Sequence, residues 1–200
     1  MQRPEALALL DAAFSDQPVV LTLGGTIREM LAVAGRKPNH LYSLDAMGQT
    51  LAIGLGLALG LDGDRRHEKV VVVEGDGSLL MGFSGLATVG HLQPTKLVLV
   101  VLDNGVYLAT GGQPTAAAGI DFAATARACG WAEARDVPSD FESLRESLGW
   151  ARGAQGPILL RVKVGTEQPK TDYFLEDPVL LSRQFQDWLL RAEGTGASAV

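Results

Sequence analysis

The sequence predicts an α/β fold: a mainly parallel sheet covered by helices on both faces, a three-layer α/β/α architecture. Short apolar runs rich in valine and leucine alternate with helix-like stretches along the chain, which is the pattern of strand–helix–strand units. The runs are nearly continuous and are bounded by Gly, Pro or Asp, as strands buried on both faces are. Several of them end in glycine or acidic turns, and open parallel sheets bind ligands outside the carboxyl ends of their strands.

Taken in order, residues 18–23, 69–73, 96–102 and 157–164 read as buried strands because they are β-branched or leucine-rich and uninterrupted by charge pairs. Between them, residues 26–34, 46–61, 83–91, 122–129 and 139–150 read as helices. The pattern weakens through 165–172 and resumes as an amphipathic helix over 178–192, carrying Phe185 and Trp188. Residues 194–200 read as a flexible tail, so a single domain is expected over 1–193. No internal repeat interrupts this series.

Composition sets the class. With 46% hydrophobic and 20% charged residues over 200 positions, the chain can bury a sizeable core. A formal charge of −6 without any Lys/Arg block argues against nucleic acid or an anionic membrane as partner. The single Cys129 can form no internal disulfide and hold no structural zinc or iron–sulfur cluster alone, and it reads as a buried thiol. Glu5 and Asp11 spoil residues 1–14 as a secretory signal, and no apolar run reaches spanning length. A cytoplasmic protein is the expectation.

The residues that carry chemistry lie at two strand ends. Gly75-Asp76-Gly77-Ser78 follows the second strand and Asp103-Asn104 follows the third. A carboxylate and an amide oxygen at neighbouring strand ends suit Mg²⁺, and backbone amides around Gly77 and Ser78 suit a diphosphate. Asp76 could instead simply cap the next helix. Gly24-Gly25-Thr26 closes the first strand, either as amide and hydroxyl donors to an anion or as an ordinary N-cap. Gly54, Gly56 and Gly60 lie inside a helix and not at a strand-to-helix turn, so they are no dinucleotide fingerprint. His40, His67 and His91 show no ligand spacing; His67 sits in a charged loop and reads as solvated.

Residues 75–104 and the loop Gly111-Gly112-Gln113-Pro114-Thr115 resemble the diphosphate-binding domain of thiamine diphosphate enzymes, over roughly positions 18–165. Gly-Asp-Gly-Ser-Leu-Leu-Met from Gly75, Leu-Ala-Thr from Leu86 and Gly-Gly-Gln-Pro-Thr look most like phosphonopyruvate and sulfopyruvate decarboxylases. The resemblance implies the thiamine diphosphate-binding fold, with thiamine diphosphate and Mg²⁺ as cofactors. It makes Asp76, Asn104 and the main-chain oxygen of Val106 the metal ligands. Gly24, Gly25, Thr26, Gly75, Gly77, Ser78 and Tyr107 would face the cofactor. Met47 matches the bulky residue beneath a bent cofactor, and the Asp45 carbonyl matches an acceptor for its amino group; the structural alternative for Met47 is a core gap-filler. Asp103 stands where many relatives have asparagine, adding a negative charge near the metal.

Thr110, Gln113 and Thr115 would line a loop at the substrate's variable end, although turn formation alone accounts for its glycines and proline. Leu108 and Ala109 are less polar than phosphonopyruvate decarboxylases lead one to expect, which points away from a phosphonate or sulfonate tail. The activating glutamate of this superfamily comes from a separate pyrimidine-binding domain, and Glu5, Glu29, Glu68 and Glu74 fall in the wrong half of such a site. The resemblance therefore implies one β-type subunit of a split 2-oxo acid decarboxylase. An α-type partner would supply the pyrimidine-binding half in a hetero-oligomer such as α2β2, with the face over 47–59 as a candidate contact. An acyloin-forming carboligase subunit and a non-catalytic regulatory subunit are the alternatives.

Overall fold

The computed structural model describes residues 1–174 and 176–191. Six parallel strands form one sheet in the order β2-β1-β3-β4-β8-β7, where β1 is Val19–Leu21, β2 His40–Tyr42, β3 Val70–Gly75, β4 Leu97–Asp103, β7 Glu133–Val137 and β8 Ile158–Lys163. A two-stranded antiparallel hairpin, β5 Val106–Tyr107 and β6 Gln113–Pro114, stands beyond β4. The helices are α1 Arg3–Ala13, α2 Gly25–Ala34, α3 Thr50–Gly60, α4 Asp76–Met81, α5 Gly85–Leu92, α6 Phe122–Ala128, α7 Phe141–Gly153 and α8 Pro178–Leu190.

The valine runs are buried on both sides because alternate residues feed two separate cores. Val71, Val73, Val98, Val100, Ile158 and Leu160 meet α1, α2 and α7 through Leu7, Leu10, Met30, Leu144 and Leu148. Val70, Val72, Leu97, Leu99 and Leu159 meet α3, α5 and α6 through Leu51, Leu55, Leu86, Val89 and Phe122. The helices start where their sequence provides caps: the side chains of Asp121, Asp140 and Asp177 each accept a first-turn amide of α6, α7 and α8. Gly54 lets α3 press onto the sheet, since a Cβ there would lie 2.0 Å from Val72 Cγ2.

The structure corrects the sequence reading in several places. Helix α3 begins at Thr50 and not at 46, because Gly48 takes φ +75° and packs its backbone on Gly82, where a Cβ would meet the Gly82 nitrogen at 2.8 Å. Strands β2 and β7 and helix α1 were not anticipated. His67 is buried, not solvated, with its ring 4.9 Å from that of Trp188. Cys129 is half-buried. The tail expected at 194–200 and the end of the helix expected to reach 192 lie outside the described residues. Among the described residues no helix is long and apolar enough to cross a membrane.

Candidate functional site

Strand β1 pairs with both β2 and β3. The chain leaves β1 through α2 to β2 on one side and returns through α3 to β3 on the other, so the carboxyl ends of β1 and β3 flank a topological switch point, the usual ligand crevice of such sheets. A cavity of about 370 Å³ opens there. Thr22, Gly24 and Thr26 line it from the β1 end, and Gly75, Asp76, Gly77 and Ser78 from the β3 end. Asn104, Val106 and Tyr107 come from beyond β4, and Met47, Met81, Thr110, Gln113 and Arg3 complete the wall. Gly25, Asp45 and Thr115, which the sequence also singled out, do not line this cavity. Asp45, at φ 55°, lines a neighbouring one that shares Leu23, Gly24 and Ala109.

Asp76 is the first residue of α4 and is 2% exposed. Its Oδ2 accepts from the Thr115 hydroxyl (2.6 Å) and its Oδ1 from the backbone amide of Asn104 (3.3 Å). Burial pushes its carboxyl above the usual carboxylate range; the Thr115 bond opposes this, and the charge of Asp103 adds to it. Thr115 thus stands under Asp76, not at the outer end of the loop. Asp103 is itself buried and takes the Nε (2.9 Å) and Nη2 (2.5 Å) of Arg161 on Oδ2. The negative charge that the sequence placed beside the metal site therefore has its own counter-ion. The Asn104 Oδ1 accepts from the Val106 amide (3.0 Å), which fixes the side chain.

The walls are held by small residues and hydroxyls. Gly77 touches the Tyr107 ring so closely that a Cβ would lie 2.4 Å from Tyr107 Cε1. Ser78 Oγ accepts from the Gly48 amide (3.0 Å) and meets Thr22 Oγ1 (3.2 Å), tying together the β1 end, the loop before α3 and the β3 end. The Ser78 side chain is thus occupied with the protein, which leaves its backbone amide for a ligand. Glu74, one residue before Gly75, is fully buried, and burial raises its carboxyl pKa. The hydroxyls of Ser78, Thr22 and Thr50 oppose that shift, yet no donor among the described residues meets hydrogen-bond geometry at either oxygen. In the hairpin loop, Thr110 and Gln113 are exposed and bond each other (3.0 and 3.1 Å).

Arg3 escaped the sequence reading because no motif marks it. It reaches the cavity from the first turn of α1, and its Nε (2.7 Å) and Nη2 (2.5 Å) both donate to the buried Glu29 of α2. The donor set suits a hard cation and an anion together: a buried carboxylate that lacks a cationic partner among the described residues, an amide oxygen, the Val106 carbonyl, and first-turn amides beside glycines. Among the described residues no group of three or more His, Cys, Asp or Glu side chains could hold a metal by itself, so a bound Mg²⁺ would need oxygens from its ligand.

Known proteins resemble this chain in sequence and in fold. The chain is 36% identical to a phosphonopyruvate decarboxylase of Streptomyces viridochromogenes over 92% of its length and 46% of the relative's. It is likewise 36% identical to the sulfopyruvate decarboxylase subunit beta of Methanothermobacter thermautotrophicus, over 82% of both chains. The chain spans about half the length of the phosphonopyruvate decarboxylases it matches. In fold it superposes on the benzoylformate decarboxylase of Polynucleobacter necessarius with a TM-score of 0.69 at 21% identity, over 82% of this chain and 33% of that one. The family described as the thiamine pyrophosphate enzyme, C-terminal TPP binding domain, matches residues 26–162, from the first turn of α2 to the end of β8. The chain therefore belongs to the thiamine pyrophosphate enzymes, through their C-terminal TPP-binding domain.

Proposed function

We propose that this chain is the diphosphate-binding, β-type subunit of a split, Mg²⁺-dependent 2-oxo acid decarboxylase that uses thiamine diphosphate. The observation that carries the proposal is Asp76: a buried carboxylate at a switch point, with raised pKa and only neutral donors, is stabilised by a cation that brings its own anion. In this reading Asp76, the Asn104 amide oxygen and the Val106 carbonyl hold Mg²⁺. The first-turn amides at Gly77 and Ser78 and the Gly24-Gly25-Thr26 turn face the diphosphate. Met47 supports the cofactor from its place in the cavity wall, and the Asp45 carbonyl accepts from its amino group. Bound thiamine diphosphate supplies the electron sink for loss of carbon dioxide from a 2-oxo acid.

The chain's own residues then bind, orient and exclude water. Thr115 and the Asn104 amide hold the Asp76 carboxylate in one orientation. Tyr107 seals the crevice over Gly77, and Leu108 and Ala109 offer apolar contact to the substrate's variable end. The relative that matches over 82% of both chains is named as a subunit beta, which supports an α-type partner carrying the pyrimidine-binding half. Helix α3 supports it as well. It has no charged residue, yet exposes Ile53 and Leu59 at 37% and 43%, a face that a partner would cover. Within this reading the described residues belong to one domain and the assembly is a hetero-oligomer.

The test is carbon dioxide release from a panel of 2-oxo acids, phosphonopyruvate and sulfopyruvate included. It is run with this chain alone, with a sulfopyruvate decarboxylase alpha subunit alone, and with both. Release that requires both chains, thiamine diphosphate and Mg²⁺ is the expected result. Full release by this chain alone would overturn the split arrangement, and none in any mixture that binds cofactor would overturn the decarboxylase.

A further inference from the structure

We infer that Arg3, held by Glu29, binds the anionic end of the ligand in this cavity and forms a second clamp on the diphosphate, beside the proposed metal site at Asp76. The inference rests on the cofactor reading above. Arg3 and Asp76 are the charged side chains among the described residues lining the cavity, and they come from different elements, Arg3 from α1 beside the turn after β1 and Asp76 from the β3 end. The guanidinium gives its Nε and Nη2 to the Glu29 carboxylate, which is 2% exposed, and among the described residues Nη1 has no hydrogen-bond partner. One edge of the fork is thus locked and the other is left with donors, which is the geometry that arginine offers to a phosphate.

The guanidinium also lies against the first turn of α2. A Cβ on Gly25 would stand 2.4 Å from Arg3 Nη2, a tip that cannot swing aside without leaving Glu29. Gly25 therefore reads as the residue that lets Arg3 lie flat on the turn whose amides, at Gly25, Thr26 and Ile27, are free of intrahelical bonds. A buried ion pair is a poor stabiliser in itself, since both ions must be desolvated. Its place on a cavity wall fits a positioning role: Glu29 orients Arg3 and does not touch the ligand.

The experiment is calorimetric titration of the chain with Mg²⁺ and inorganic diphosphate, and separately with Mg²⁺ and thiamine diphosphate. The proteins are wild type, Arg3→Gln, Arg3→Lys and Glu29→Gln, each with its melting temperature measured. Loss of one charged hydrogen-bonding group predicts that Arg3→Gln binds both ligands about 10- to 100-fold more weakly. Arg3→Lys keeps the charge without the fork and is expected to fall between, and Glu29→Gln to weaken binding less than Arg3→Gln. Variants that melt lower but, while folded, bind with wild-type affinity would make the pair merely structural and overturn the inference. Should Arg3→Gln fail to fold, Arg3→Lys decides. Wild type that binds inorganic diphosphate but not thiamine diphosphate would overturn the cofactor reading and leave the anion clamp standing; wild type that binds neither overturns both.

Discussion

Strands β3 and β4 run side by side in register, Gly75 opposite Leu102, and each is followed or ended by a buried aspartate, yet the two ends are built differently. At the β4 end the protein supplies a counter-ion: Asp103 receives two donors of Arg161 on one oxygen and the Gly105 amide (3.0 Å) on the other. At the β3 end the described residues supply none, and Asp76 has the Thr115 hydroxyl and the Asn104 backbone amide. Two carboxylates in the same layer of the same sheet thus do different work. The compensated one holds the rim together, and in the proposed reading the other awaits a cation from outside.

The largest expected break in that contrast is Asp76→Ala, which should lower Mg²⁺-dependent cofactor affinity by more than about 100-fold by removing a charged ligand. Melting without Mg²⁺ should hardly change, and equilibrium titration beside thermal denaturation reads both. Asp103→Ala should do the reverse. It leaves the Arg161 guanidinium with Asp136 as its remaining ion-pair partner (3.0 Å) and should cost about 1 to 3 kcal/mol in a urea melt, with cofactor affinity in the folded fraction reduced far less. Gly77→Ala tests the wall above Asp76. Its Cβ would displace the Tyr107 ring, at a cost of about 1 to 3 kcal/mol for overpacking, and Tyr107→Ala in the same chain should recover part of the loss.

The smallest effect is the pH dependence of Asp76 itself. Its folded pKa is raised above the unfolded 3.8, so between the two values the folded state binds more protons, and stability falls as pH rises through that window. Asp76→Asn without Mg²⁺ should therefore melt slightly higher than wild type at pH 7, with the gain shrinking as pH falls toward 3.8. A gain of the same size at both ends would mean that the buried charge is not what costs stability.

Much of this layout was legible because the central strands are long, apolar and bounded by glycine or aspartate, and residues 70–73 and 97–102 admit few other readings. Strand β2, three residues with a histidine and a tyrosine, has too little apolar length to stand out, although His40 and Tyr42 are buried. Three of the five residues of edge strand β7 are charged, and only Ala134 and Val137 are buried. The metal-site candidates at 76 and 104 could be read because each directly follows a strand. The bond from Thr115 to Asp76 spans 39 positions and depends on the hairpin folding back. Arg3 and Glu29 lie 26 apart on two helices that meet only in the tertiary structure. Arg161 faces Asp103 only because β8 lies beside β4, an adjacency that chain order does not express.

The measurement that bears most directly on the central claim is calorimetric titration of the chain with thiamine diphosphate, with and without Mg²⁺, beside Asp76→Ala. Saturable binding that needs Mg²⁺ and disappears in the variant is the predicted result. Binding that ignores Mg²⁺, or that Asp76→Ala leaves intact, would contradict the account, because the uncompensated carboxylate at the β3 end would then have no cation to hold.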